Sequence, residues 1–311
     1  MTERSALFPI VERKWLYFLL SGLIIVPGLV FLLLGGLRLG IEFRGGSLLD
    51  VRFDPAPPAA EVHDVMASLG HGEAVVQGAE GGRILIRTTE MQPTEIAQTQ
   101  TSLEQRFPGA VKDLQSSVVS PSFSGELIQS AITSIVLASI LIVLLIAFAF
   151  RTFGWAAFRY GIAAIVALLH DAVLVLGLFA ILGYFLDVEI DSLFVTAVLT
   201  IIGFSVHDTI VVFDRIRENL RLNTADALNP VINFSVMQTV TRSVITSLTV
   251  LLTLLALFLF GGYSIRNFAL ALIVGIVSGT YSSIFNAAQV VSLWQELEDR
   301  VRRRGVRTAA A

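Results

Sequence analysis

Apolar and polar residues are distributed very unevenly along this chain. Six apolar runs, at 15–37, 127–150, 157–185, 193–213, 234–260 and 268–293, are each long enough to cross a bilayer as a helix. Polar segments separate them. Four of these are short, while the one at 38–126 is the length of a small domain. The first run is too long for the apolar region of a signal peptide and no small-residue cleavage site follows it, so it is expected to stay attached.

Inside 38–126 the periodicity changes. Leu49, Val51 and Phe53 alternate with Leu48, Asp50 and Arg52, which predicts a strand that Pro55, Pro57 and Pro58 end. Ala59–Leu69 places Val62, Val65 and Leu69 on one helical face. Strands near 73–77 and 83–88 follow, divided by Gly78, Gly81 and Gly82. A helix over 94–107 and a strand near 111–119 complete a β-α-β-β-α-β order. That order predicts a small α+β ferredoxin-like sandwich. The fold class is therefore an α-helical membrane bundle carrying one such extracytoplasmic domain.

Charge then orients the spans. Arg4, Arg13 and Lys14 precede the first; Arg151 and Arg159 follow the second; Arg215, Arg217 and Arg221 follow the fourth. Five arginines between Arg300 and Arg307 follow the sixth. The remaining short connections hold Asp187, Glu189 and Asp191 in one case and Arg266 in the other. The positive-inside rule predicts both termini (1–14 and 294–311) and the loop 214–233 in the cytoplasm, with 38–126 outside.

Composition agrees with a membrane protein: 54% of the 311 residues are hydrophobic and 15% charged, against about 25% charged in soluble domains. No cysteine is present, which removes disulfides, thiolate zinc sites and thiol catalysis. There is no phosphate-binding Gly-rich loop and no His-Glu-x-x-His motif, so an ion gradient is a better energy source than a bound nucleotide, and no cofactor or metal is expected.

Against this apolar background the ionisable residues within the spans carry information. A carboxylate at membrane depth costs about 2.5–3.5 kcal/mol on insertion scales, and so faces protein or water. Asp208 is such a residue, sharing a helical face with Ser205 and Val212. In the next span Gln238, Arg242, Thr246, Thr249 and Thr253 form a polar stripe, and antiparallel neighbours would bring Arg242 to the depth of Asp208. The expectation is a pair of helices turning these groups toward a shared interior. An acid that gives up and regains a nearby cation changes its proton affinity, which suits a protonation switch; a fixed ion pair is the plainer alternative. His170-Asp171, in the third span, reads equally as a relay or as a structural pair. His207 points about 100° away from Asp208 around the helix. Small residues at 130, 134 and 138, and the lines Gly275, Gly279, Ser283 and Ser278, Ser282, Asn286, predict close helix contacts. Gly45-Gly46, before the first strand, fits a turn that needs positive φ. Ser205 and His207 diverge on one helix, leaving no nucleophile–base pair for an intramembrane hydrolase.

Several of these segments resemble one family. Gly203-Phe-Ser-Val-His-Asp-Thr-Ile-Val-Val-Phe-Asp-Arg-Ile-Arg-Glu-Asn219 is similar to the fourth-helix signature of the SecF branch of the SecD/SecF protein-export family. Gly40-Ile-Glu-Phe-Arg-Gly-Gly46, the start of the fifth span around Asn233–Ser247, Phe260-Gly-Gly262 and Gly275–Ser283 resemble its other motifs. The resemblance implies half of a resistance-nodulation-division transporter, completed by SecD. It implies a transport component rather than an enzyme, using the proton motive force to draw preproteins across the bacterial cytoplasmic membrane. It also implies the SecYEG channel, SecA at a distance, a small accessory membrane subunit, the unfolded preprotein and membrane lipid as partners, and no nucleic acid. In the family the fourth-helix aspartate and fifth-helix arginine serve proton conduction, which implies that role for Asp208 and Arg242; His170, Asp171 and His207 are candidates for a secondary path. Two positions depart from the family pattern: His207 replaces a common Asn, and Ser243 a common Thr. Exporters of lipids or small molecules, and a non-conducting scaffold, are the competing classes.

Overall fold

A computed structural model describes residues 9–151, 156–222 and 227–309. Arg4 and the loop positions 223–226 lie outside the described residues, as do the side chains of Arg302, Arg303, Arg304 and Arg307. Two compact units emerge: Leu39–Thr133, and a second made of Met1–Arg38 with Ser134–Ala311.

The first unit is the α+β domain. Its elements are α2 (Ile41–Arg44), β1 (Gly46–Phe53), α3 (Ala59–Ser68), β2 (Val75–Ala79), β3 (Arg83–Thr88), α4 (Pro93–Arg106) and β4 (Val111–Val119). The strands form one antiparallel sheet in the order β2-β3-β1-β4, as a ferredoxin-like β-α-β-β-α-β chain requires. Alternation on β1 decides the faces. Leu49, Val51 and Phe53 are buried with Val62 and Met66 of α3 and Leu103 of α4. Asp50, on the opposite face, pairs with Arg83. Helix α4 starts where it does because Pro93 follows Gln92, whose amide donates to Glu95 Oε2 at 2.6 Å. β1 opens on Gly45 and Gly46, with φ of 78° and 117°. A Cβ on Gly46 would lie 2.5 Å from the Thr88 carbonyl oxygen of the neighbouring strand. Gly46→Ala is therefore expected to weaken the β1–β3 ladder by about 1–3 kcal/mol, the usual cost of a strained backbone position. Faster amide hydrogen exchange in β1 and β3 would register it, with α4 as the internal comparison.

In the second unit the apolar runs become α1 (Lys14–Leu34), α5 (Pro121–Phe150), α6 (Ala156–Leu186), α7 (Ser192–Leu222), α8 (Leu228–Phe260) and α9 (Tyr263–Ser282), which continues through a π-turn (Ser283–Ala287) into α10 (Ala288–Ala309). This makes six candidate membrane spans among the described residues. Several helices outrun their apolar runs. α7 extends to Leu222 rather than stopping near Phe213 because its polar end is tied down: Arg215 Nη1 donates to Glu218 at 2.6 Å, and Asn219 Nδ2 donates to Gln238 of α8 at 2.9 Å. α1 and α6 touch backbone to backbone where Gly28 meets Gly177, and a Cβ on either would lie within 2.8 Å of the other's Cα. Ser130 and Ser134, which the sequence reading placed at a helix contact, are instead exposed on α5. Spacing identifies a small-residue face without identifying what covers it.

Candidate functional site

α7 lies between α6, α8 and α9, and its inward face carries Ser205, Asp208 and Thr209, each at most 4% exposed. The position of α7 is set by small residues opposite it. A Cβ on Gly275 would come within 2.2 Å of Ile201, and one on Gly279 would lie 3.1 Å from Ser205 Cβ. The Gly275–Gly279 line thus does what its spacing suggests, bringing two backbones together.

Two buried aspartates face this interior and are solvated in opposite ways. Asp171, on α6, is 1% exposed. Its Oδ2 accepts from Ser205 Oγ (2.5 Å, α7) and Ser282 Oγ (2.7 Å, α9); its Oδ1 accepts from Ser278 Oγ (2.6 Å, α9) and lies 3.0 Å from His170 Nδ1. Four polar groups from three helices therefore converge on one carboxylate. The other ring nitrogen of His170 lies 3.0 Å from Ser21 Oγ on α1, which also accepts from Asn286 Nδ2 at 2.9 Å. Asp208 is buried as well, yet its Oδ2 has no hydrogen-bond partner. Ser243 of α8 presents the adjacent hydroxyl, close enough to act on the acid though short of full hydrogen-bond geometry. Arg242 and His207 are close enough to act on Asp208 through space.

Here the structure corrects one expectation. The stripe Gln238, Arg242, Thr246, Thr249 and Thr253 lies on the exposed side of α8, and the face turned toward the bundle carries Ser235, Thr239, Ser243 and Ser247 instead. Asp208 and Arg242 are near one another in space without forming an ion pair. His207 and Gly203 are likewise exposed, on a side of α7 that no other described helix covers, and a Cβ on Gly203 would meet nothing within 4 Å. A helical stripe of polar residues shows that a face is special. It does not show whether that face meets this chain or another.

The spacing of Ser278, Ser282 and Asn286 predicts residues that permit close packing. They are also hydrogen-bond donors, two to Asp171 and one to Ser21. A row of hydroxyl and amide side chains in an apolar span, with one acid in another span, is the signal that could have joined them. Ser21 is a lone serine in α1 and offers no such signal.

Comparison with known proteins bears on the whole arrangement. The family described as protein export membrane protein SecD/SecF, C-terminal, matches residues 98–297, and the SecD/SecF GG motif matches residues 30–57, including Gly45 and Gly46. Protein translocase subunit SecF of Thermobaculum terrenum is 46% identical, with 97% of this chain and 99% of that protein aligned; that of Anaerolinea thermophila is 39% identical at 97% and 99%. The crystal structure of SecDF, a translocon-associated membrane protein from Thermus thermophilus, is 30% identical and superposes with a TM-score of 0.83 over 95% of this chain. The chain spans 40% of that SecDF and nearly the full length of the SecF relatives. With both family models matched, 95% of the chain aligned to a solved relative, and end-to-end similarity to SecF subunits, this chain belongs to the SecD/SecF family of protein export membrane proteins.

Proposed function

We propose that this chain acts as the SecF subunit of the bacterial protein translocase. It pairs with SecD, has both termini in the cytoplasm, and lets the proton motive force drive late steps of preprotein translocation by protonation and deprotonation of Asp208. The family assignment and the fused SecDF relatives support the pairing.

The observation that carries the proton site is the contrast between the two buried acids. Asp171 has its acceptor positions filled, whereas Asp208 has a buried oxygen with no donor in full hydrogen-bond geometry, beside the Ser243 hydroxyl and within electrostatic reach of Arg242. Buried polar atoms are almost always satisfied, so an exception calls for a reason, and for an ionisable group beside a cation a change of partner or protonation state is one. Protonation supplies Asp208 with a donor of its own and removes its attraction to Arg242. Both changes alter how α7 and α8 pack. Each charge crossing the membrane field is worth about 2.3 kcal/mol per 100 mV, so translocation takes repeated small strokes.

The test is proton flux into vesicles holding the SecD–SecF complex. Asp208→Asn is nearly isosteric and is expected to leave assembly intact while abolishing gradient-dependent flux and the export that depends on it. Wild-type flux through that variant would exclude the reading.

A further inference from the structure

Asp208 makes few bonds of its own, so its place depends on how α7 is held. The residues on either side of it are the ones tied. Ser205, one turn earlier, donates to Asp171, and Ser283 Oγ reaches the Ser205 carbonyl at 3.2 Å. Thr209, the next residue, meets Ser283 Oγ at 2.9 Å. The π-turn of the last span is where these ties divide: consecutive serines, both 0% exposed, serve different clients, Ser282 bonding Asp171 and Ser283 bonding α7. Widened turns of this kind cluster at functional sites.

We propose that Asp171 is a positioning residue for the Asp208 site. By gathering Ser205 from α7 and Ser278 and Ser282 from α9, its carboxylate fixes the rotation of α7, and with it the place of Asp208 relative to Ser243 and Arg242. This rests on Asp208 being the proton-binding group. The lever is short. A rotation of α7 by about 20° carries an atom roughly 5–6 Å from the helix axis through about 2 Å, which separates a hydrogen bond from no contact. Among the described residues, the charged or titratable groups that act on Asp208 are His207 on its own helix and Arg242 on α8; α6 faces α7 with Asp171, bonded to Ser205 and beside His170, and α9 with its π-turn presents hydroxyls to α7. Asp171 thus acts through Ser205 and does not itself pass a proton.

Flux per assembled SecD–SecF complex, measured in vesicles across pH, tests the assignment. Asp171→Asn exchanges an acceptor for an amide donor facing hydroxyl donors. The pair Ser205→Ala and Ser282→Ala removes the α7 tie to Asp171 and one of the two from α9, and leaves the acid. Both are expected to move the pH of half-maximal flux in the same direction by about half a unit or more, a change that a mere loss of folded complex would not produce. A serine pair with the wild-type midpoint overturns the proposal. So does complete loss of flux in Asp171→Asn beside a wild-type serine pair, since that result makes Asp171 a relay. If Asp171→Asn does not accumulate, the serine pair decides alone. Unchanged flux in Asp208→Asn, measured in the same vesicles, is a separate outcome that removes Asp208 as the proton site.

Discussion

Leucine in place of Gly177 is expected to cost this protein at least about 3 kcal/mol, the upper end for overpacked sites, and to prevent stable accumulation of the chain. A Cβ at that position would lie 2.7 Å from the Cα of Gly28, so the first obstruction is backbone, which cannot rotate aside as a side chain can. Relief requires α1 to move away from α6. That motion pulls Ser21 from His170 and leaves two buried polar groups without each other. Pro27 lies one residue from the crossing and already lacks an amide hydrogen, so α1 is least supported internally where it would have to bend. Protein level after induction and thermal unfolding of detergent-solubilised complex are the measurements. Gly177→Ala should show a milder loss in the same direction, and Leu at Gly203, where a Cβ meets nothing within 4 Å among the described residues, should not destabilise the lone subunit.

Arg242→Ala should do the reverse, sparing the fold and removing the function. Arg242 is exposed on α8 and holds no ion pair among the described residues, so the stability of the lone subunit should change by no more than about 0.5 kcal/mol, as for ordinary surface substitutions. Gradient-driven flux through the SecD–SecF complex should fall by about 100-fold or more, the lower range for removing a group that assists proton transfer. Unfolding of the isolated chain and flux through the complex must be measured on the same variant, because the separation between them is the prediction. A variant that unfolds early would make Arg242 a structural residue. One that conducts normally would leave Asp208 without its proposed cation.

The physical reason for that separation also explains what could and could not be read from the residues. Periodicity reports which residues share a face. It was sufficient for the α+β domain, where alternation through Leu49, Val51 and Phe53 against helices at 59–68 and 93–106 leaves one way to bury a single core. It was sufficient for the count of spans, because a bilayer tolerates little else. It was insufficient for the direction of the α8 stripe, since a polar face in a membrane helix can turn to the interior of its own bundle or to a second subunit with the same spacing. The Asp171 cluster was still less accessible. Its members lie on four helices, with Ser205 separated from Asp171 by 34 positions and Ser21 from His170 by 149, and no local pattern links such distant residues. Asp208 itself stood out from an apolar background. The want of a donor at its Oδ2 depends on how α7 and α8 pack and has no signature in the local sequence.

The surplus residue stored between Ser283 and Ala287 has a consequence for how the chain can be altered. A helix that accommodates an extra position by swelling one turn can lose that position without displacing its two arms. Shortening the chain by one residue there would leave Gly275 facing Ile201 on one side and Glu296 clasping Lys14 at 2.5 Å on the other. Elsewhere in the bundle such an excision would swing everything downstream by about 100°. What the trimmed helix could not keep is a separate hydroxyl for each of its two customers, so the last span trades uniform pitch for the ability to hold its neighbours on both sides at once.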